Sequence, residues 1–152
     1  WNWIRDCRER AKNIKIIGNG DLFSPQAVEN MFLETGCDAV LIARGTMGQP
    51  WIAEDVYRHF EGLPPLERSL QYRREALKKH FEITLGYQND RRTLLDMRRV
   101  GCWYVKKASG TKGFREKVSH AQSIEEMRDL ILNYPLGDWI ETPDIEEAAC
   151  DC

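Results

Sequence analysis

The sequence predicts an α/β segment, strand-helix-strand-helix in order, followed by an all-α segment. Two observations carry that expectation. Two β-branched runs, separated by about one strand-helix-strand unit, each end in a glycine-containing turn. Beyond Pro64-Pro65 the apolar residues recur only at helical spacing.

Ile14-Lys15-Ile16-Ile17 reads as the first strand, because β-branched side chains pack well on a pleated surface. Gly18 and Gly20 end it in a turn. Ser24-Pro25 then marks a helix start: Ser caps free N–H groups, and Pro at the first helical position loses no hydrogen bond. Val28, Met31 and Phe32 recur at i, i+3 and i+4, and Gly36 sits where a left-handed cap is needed. Ala39-Val40-Leu41-Ile42 follows as the second strand. Strand, helix and strand so closely joined predict a parallel pair with a right-handed crossover. The loops Gly18-Asn19-Gly20-Asp21 and Ala43-Arg44-Gly45 then lie at the carboxyl ends of adjacent strands.

A short helix is expected near residues 52–60, and Pro64-Pro65 places a domain boundary near 61–65. Leu66, Leu70, Leu77, Phe81 and Leu85 trace the apolar stripe of a new helix. In the next, Leu94, Met97, Gly101, Tyr104 and Val105 fall on one side and Arg92, Arg99, Trp103 and Lys106 on the other. Ala108 to Gly113 reads as a turn between helices, flanked by Lys106, Lys107, Lys112, Arg115 and Lys117. Ser123 and Glu126 form a capping-box pair for a last helix that buries Met127, Leu130 and Ile131 and stops at Tyr134-Pro135.

The net charge of −2 conceals a division. Residues 62–137 carry 15 basic and 9 acidic side chains, whereas 138–152 carry 6 acidic and none basic. The middle section therefore suits a polyanion, and the acidic end, broken by Pro143, reads as disordered. A basic helix face bearing an exposed Trp suits structured RNA, whose phosphates take Arg and Lys and whose unpaired bases stack on aromatics. Trp103 as a core residue stays open beside that reading.

Five cysteines without a regular framework fit reduced thiols. Cys150-Asp151-Cys152 lacks the partner ligands of a zinc site, and His59, His80 and His120 stand in no metal or nucleophile-base spacing. No apolar stretch has membrane length and Trp1-Asn2-Trp3 opens no signal pattern, so a cytoplasmic protein is expected, with no membrane and no DNA partner.

The glycine turns can present N–H groups to an anion, and Arg44 adds a two-pronged charged partner. In (β/α)8 barrels the loops after strands 7 and 8 are a frequent phosphate site. The alternative is that Gly18 and Gly20 only shape a turn and Arg44 is a surface charge.

Read whole, residues 14–21 (IKIIGNGD), 35–45 (TGCDAVLIARG) and 48–52 (GQPWI) resemble the end of the barrel in the tRNA-dihydrouridine synthase family. The resemblance continues in Met97-Arg98-Arg99, Trp103-Tyr104 and Gly110 to Arg115, which are similar to that family's helical tRNA-binding domain. It implies reduction of tRNA uridines with FMN, recharged by NAD(P)H. It further implies that residues 1–61 hold strands 7 and 8, that 62–137 form the tRNA-binding domain, and that 138–152 are a tail. Asn19, Gly20, Asp21, Ala43, Arg44 and Gly45 would stand at the FMN phosphate, although Ala43 occupies a position where glycine is more usual. Arg92, Arg98, Arg99, Trp103, Lys106, Lys107, Lys112 and Arg115 would meet tRNA. The family's catalytic cysteine, and the lysine and histidine near its flavin, lie on earlier strands, so this chain alone is expected to be inactive and to bind FMN weakly. Strand edges left unpaired in residues 1–60 point to loose order, self-association or repacking. Two other readings stand beside this one: an FMN barrel oxidoreductase acting on a small molecule, and a non-catalytic RNA-binding module.

Overall fold

Residues 1–106 and 110–135 are described by the computed structural model, in which the chain divides into two units, Trp1–Glu67 and Arg68 onward. The acidic segment 138–152, with Cys150 and Cys152, and Lys107, Ala108 and Ser109 of the expected turn lie outside the described residues.

The first unit opens with α1 (Asn2–Arg10), a helix without a fully buried residue, tied to the rest by Arg8 Nε donating to the Gly36 carbonyl at 3.0 Å. β1 (Ile17–Gly18) leads into α2 (Pro25–Thr35) and β2 (Ala39–Val40). β1 and β2 pair in parallel, Ile17 opposite Ala39 and Gly18 opposite Val40. The bounds of α2 follow from local chemistry. Ser24 Oγ accepts from the Ala27 amide at 3.2 Å, Pro25 occupies the first turn, and Gly36 closes the helix at φ 64°. Before β2, the Asp38 carboxylate accepts from the Ile16 amide at 2.9 Å and from Lys15 Nζ at 3.0 Å. Those bonds, the amide first, hold its carboxyl below the usual range.

The ladder is shorter than the strands expected over 14–17 and 39–42. Each strand has a single partner here, and Ile14, Ile17 and Leu41 remain 67%, 62% and 57% exposed, with nothing over them to sustain longer pairing. The core lies on the other side, where Leu22, Val28, Met31 and Cys37 are buried. Gly18 is needed there, since a Cβ would stand 3.0 Å from both Met31 Sδ and Cys37 Sγ. A 3-10 turn (Arg44–Thr46) and α3 (Ile52–Phe60) complete the unit.

The second unit comprises α4 (Leu70–Tyr87), α5 (Asp90–Trp103), α6 (Lys112–His120) and α7 (Ile124–Asn133). Ser69, Asn89 and Ser123 cap α4, α5 and α7 by accepting from the amides of Tyr72, Arg92 and Glu126. Leu77, Phe81, Met97, Val118, Met127 and Ile131 form the core. Leu66 does not join the α4 stripe: the helix starts only after the Ser69 cap, which leaves Leu66 38% exposed.

α5 and α6 pack antiparallel. Gly101 faces Val118, where a Cβ would come within 2.9 Å of Val118 Cγ1, and Arg98 Nε donates to the Ala121 carbonyl at 2.8 Å. The expected turn through Gly113 stops earlier, because Lys112 and Gly113 already belong to α6. Gly113 makes room instead of a bend: a Cβ there would stand 2.6 Å from the Tyr134 hydroxyl. Among the described residues no helix is long and apolar enough to cross a membrane.

Candidate functional site

The turns after β1 and β2 are built against each other. Gly20 has φ 141° and Asp21 φ 53°, and Asp21 is the one non-glycine residue with positive φ among the described residues. That conformation turns the chain sharply, and the Asp21 carboxylate accepts from Arg44 Nη2 at 2.7 Å. Both side chains are 69% exposed, so water screens the pair. The guanidinium also stands 5.9 Å from the Phe23 ring centroid.

Below this clasp the backbones meet. A Cβ on Gly45 would fall 1.9 Å from the Leu22 carbonyl oxygen, so only glycine lets the second turn lie against the first. Gln49 braces the junction by donating through Nε2 to the carbonyls of Phe23 (3.0 Å) and Gly45 (2.9 Å). Trp1 Nε1 donates to the Gly20 carbonyl at 3.0 Å. Among the described residues the amides of Asn19, Gly20, Asp21 and Ala43 donate to no protein acceptor. The two turns therefore combine unclaimed N–H donors with an exposed guanidinium held by a carboxylate, an arrangement that suits an anion with several acceptor oxygens.

The structure thus brings Asn19, Gly20, Asp21, Ala43, Arg44 and Gly45 together at the carboxyl ends of the parallel pair. Gln49 and Trp1 were not among the candidates. Their contributions are long-range side-chain bonds to carbonyls, which no spacing signals, although Gln49 lies within the 48–52 stretch that carries the family resemblance.

The second unit presents the basic candidates unequally. Arg92, Arg99 and Lys106 are exposed and Trp103 is half-buried, with Lys106 Nζ 5.1 Å from the Trp103 ring centroid. Arg92 is paired with Asp96 at 3.2 Å. Arg98 is half-buried and committed to the Ala121 carbonyl, which makes it a brace between α5 and α6. Lys112 and Arg115 are exposed on α6, where Cys102 Sγ donates to the Arg115 carbonyl at 3.5 Å and so sets that turn beside the end of α5. Lys107 lies outside the described residues.

Among the described residues Cys7 and His120 are exposed, and the other cysteines and histidines are at least partly buried. Cys37 is buried, and burial pushes the half-buried Cys102 thiol up, away from the thiolate form. His80 Nδ1 meets the Tyr104 hydroxyl at 3.0 Å; burial lowers the imidazole and raises the phenol to about 12. His59 pairs with Glu29 at 2.9 Å between α3 and α2. Among the described residues no group of three or more His, Cys, Asp or Glu is gathered for a metal.

Comparison with known proteins adds an independent finding. The profile of the family described as dihydrouridine synthase (Dus) matches residues 1–134, across both units. A protein of Mycobacterium leprae named "Probable tRNA-dihydrouridine synthase" is 26% identical over 134 residues, 88% of this chain and 35% of that protein. "tRNA-dihydrouridine synthase B" of Xanthomonas axonopodis pv. citri is 34% identical over 128 residues, 82% of this chain and 38% of its own length. "Probable tRNA-dihydrouridine synthase 1" of Synechocystis is 29% identical over 132 residues, 86% and 37% respectively. The chain thus spans about a third of the length of the curated relatives it matches, in their C-terminal part.

Proposed function

This chain belongs to the dihydrouridine synthase family, and on that premise we propose that it supplies the flavin-phosphate turns and the tRNA-docking helices of a cytoplasmic tRNA-dihydrouridine synthase. In this reading β1 and β2 are the last two strands of a (β/α)8 barrel, and the helices beyond residue 61 form the tRNA-binding domain. One observation carries it. Two turns at the carboxyl ends of adjacent parallel strands are clasped by Arg44 and Asp21, in the position where such barrels hold a cofactor phosphate.

The residues fit an FMN phosphate. The unclaimed amides of Asn19, Gly20, Asp21 and Ala43 would donate to its oxygens, and Arg44 keeps further N–H groups beyond the one given to Asp21. Gly45 sets the approach of the second turn, and Gln49 keeps the two from separating. A bound FMN would supply the hydride chemistry for reducing uracil, with NAD(P)H as the reductant. This chain's share is to neutralise the phosphate and so fix where the flavin ring stands, which is catalysis by positioning. No catalytic residue is assigned to it, because the resemblance places the family's catalytic cysteine on an earlier strand.

On the helical unit, Arg99, Lys106, Lys112 and Arg115, with Lys107 and Arg92, would take tRNA phosphates, and the half-buried Trp103 beside Lys106 would offer its ring for stacking. The basic unit and the printed names of the relatives favour this reading over a small-molecule oxidoreductase.

The test is to express the whole protein carrying this segment in a bacterium deleted of its own dihydrouridine synthases, and to measure dihydrouridine in its tRNA by mass spectrometry. Dihydrouridine should reappear at defined positions, and should be lost with Arg44→Ala. Normal expression of the protein with no dihydrouridine in any tRNA would overturn the reading.

A further inference from the structure

We propose that Trp1 is a positioning residue for the phosphate site: its indole N–H locks the Gly20–Asp21 peptide with the Asp21 amide aimed at the anion. This rests on the flavin-phosphate reading above and adds to it the group that decides which way one of the donors points.

That peptide joins two residues of unusual conformation. Gly20 has φ 141° and Asp21 φ 53°, and no peptide bond among the described residues is cis. In a trans peptide the carbonyl of one residue and the amide of the next point in opposite directions. Trp1 Nε1 donates to the Gly20 carbonyl at 3.0 Å, so the Asp21 amide faces away from the indole, where it meets no protein acceptor among the described residues. The ring also lies on the glycine: a Cβ at position 20 would stand 3.3 Å from Nε1 and 3.6 Å from Cδ1.

The opposite orientation is within easy reach. Turning this peptide over changes only ψ of Gly20 and φ of Asp21. Glycine accepts either value, and Asp21 passes from positive φ to the extended region that residues with a side chain prefer. The backbone at position 21 therefore favours the flipped form. In that form the Gly20 carbonyl points where the amide stood, and its oxygen repels the phosphate that the amide attracts. The indole holds the peptide against this relaxation.

Trp1 is itself held. Its carbonyl accepts from the amides of Ile4 at 2.9 Å and Arg5 at 3.3 Å, which starts α1. Arg8, in the last turn of that helix, donates to the Gly36 carbonyl and lies 3.5 Å from the Asp38 carboxylate, just before β2. No residue of α1 is fully buried, so core packing does not account for its place. It acts as a bar fastened at one end to the loop after β1 and at the other to the entry of β2.

The same geometry makes a chain of bonds, from indole N–H to carbonyl, across the peptide, and from amide to phosphate oxygen. Hydrogen bonds in such a chain polarise one another. An anion at the Asp21 amide should therefore strengthen the indole bond and move the Trp1 Nε1–H resonance downfield.

The test uses the whole protein carrying this segment, isotope-labelled at its tryptophan and aspartate nitrogens, with FMN and riboflavin as probes. FMN should move the Trp1 indole and Asp21 amide resonances downfield, and riboflavin, which lacks the phosphate, should leave both near their starting positions. Trp1→Phe keeps a ring beside Gly20 and removes the donor. It should weaken FMN binding about tenfold, the loss expected of one hydrogen bond, and leave riboflavin binding unchanged. In an Asp21→Gly background the same substitution should lose most of its effect, because glycine gains nothing from the flip. A preference for FMN that survives intact in Trp1→Phe, or an equal loss for both flavins, overturns the role of Trp1. If Trp1→Phe does not fold, the shifts of the unsubstituted protein decide: an indole resonance that FMN leaves in place overturns the proposal. An unsubstituted protein that binds riboflavin as tightly as FMN overturns the phosphate reading itself.

Discussion

Arg44 Nη2 lies 2.7 Å from Asp21 Oδ1, joining residues 23 apart in sequence across the ends of two parallel strands. With both side chains 69% exposed, this bond does little for stability. Its effect is to hold a guanidinium that would otherwise sample many rotamers in one place above the two turns. Asp21 accepts this role at the cost of a positive φ, which Asp tolerates better than most residues.

Arg44→Lys should therefore leave thermal unfolding of the chain unchanged while lowering FMN retention of the whole enzyme by roughly tenfold, since an ammonium cannot serve Asp21 and a phosphate in the same fork. Riboflavin, which lacks the phosphate, should bind both proteins equally. An equal loss for riboflavin would show that Arg44 acts elsewhere than at the phosphate.

Two glycines make an opposed pair of predictions. Gly45→Ala places a methyl 1.9 Å from the Leu22 carbonyl, a backbone atom that cannot swing aside, and should destabilise the first unit by about 1–3 kcal/mol. Gly86→Ala meets nothing within 4 Å and lies in α4, where Ala is the better helix former, so it should stabilise by up to about 1 kcal/mol. Chemical denaturation of both variants checks the signs. An unchanged midpoint for Gly45→Ala would mean that the two turns separate freely.

The contrast between α2 and α6 shows what a sequence can announce. Ser24, Pro25 and Gly36 bound α2 by bonds made within four residues, and Ser123 does the same for α7. These ends were legible because their chemistry is local. The start of α6 was not, since Gly113 reads as a turn residue until Tyr134, 21 positions later, is found in the space it leaves. The two glycine-containing turns were legible as a pair from their spacing. Gln49 was not, because its two acceptors are carbonyls on different turns, and carbonyls are the same in every residue. Arg98 carries the same lesson: its charge is visible in sequence, and its commitment to the Ala121 carbonyl is not.

The His80–Tyr104 contact predicts a pH dependence. Burial lowers the His80 pKa below its ordinary value of 6.5, while Tyr104, raised to about 12, stays a neutral phenol throughout. Between 6.5 and the lowered value the unfolded chain binds more protons than the folded one. Stability of the helical unit should thus be flat above neutrality and fall as pH drops through that window. Asp38 and Glu29, whose carboxyls are held low in the first unit, lose their contributions only at more acid pH. Thermal unfolding from pH 7.5 to 5.5 should show a slope that His80→Gln removes. The same slope in both proteins would exclude this imidazole as its source.

Arg98 and Arg99 are neighbours in sequence and should part company on substitution. Arg98→Ala removes the donor to a carbonyl between α5 and α6, leaving that acceptor without its protein partner, and should cost about 1–2 kcal/mol of stability. Its effect on tRNA binding should follow from that loosening and leave the salt slope little changed. Arg99 is exposed and forms no ion pair among the described residues, so Arg99→Ala should leave the denaturation midpoint in place. If its guanidinium meets a phosphate in the bound state, tRNA affinity should fall for every tRNA alike and the log–log salt slope should drop by about one. Measuring midpoint and salt slope on both variants separates brace from contact. A stability loss in Arg99→Ala, or a lowered salt slope in Arg98→Ala with its midpoint intact, would reverse the two assignments.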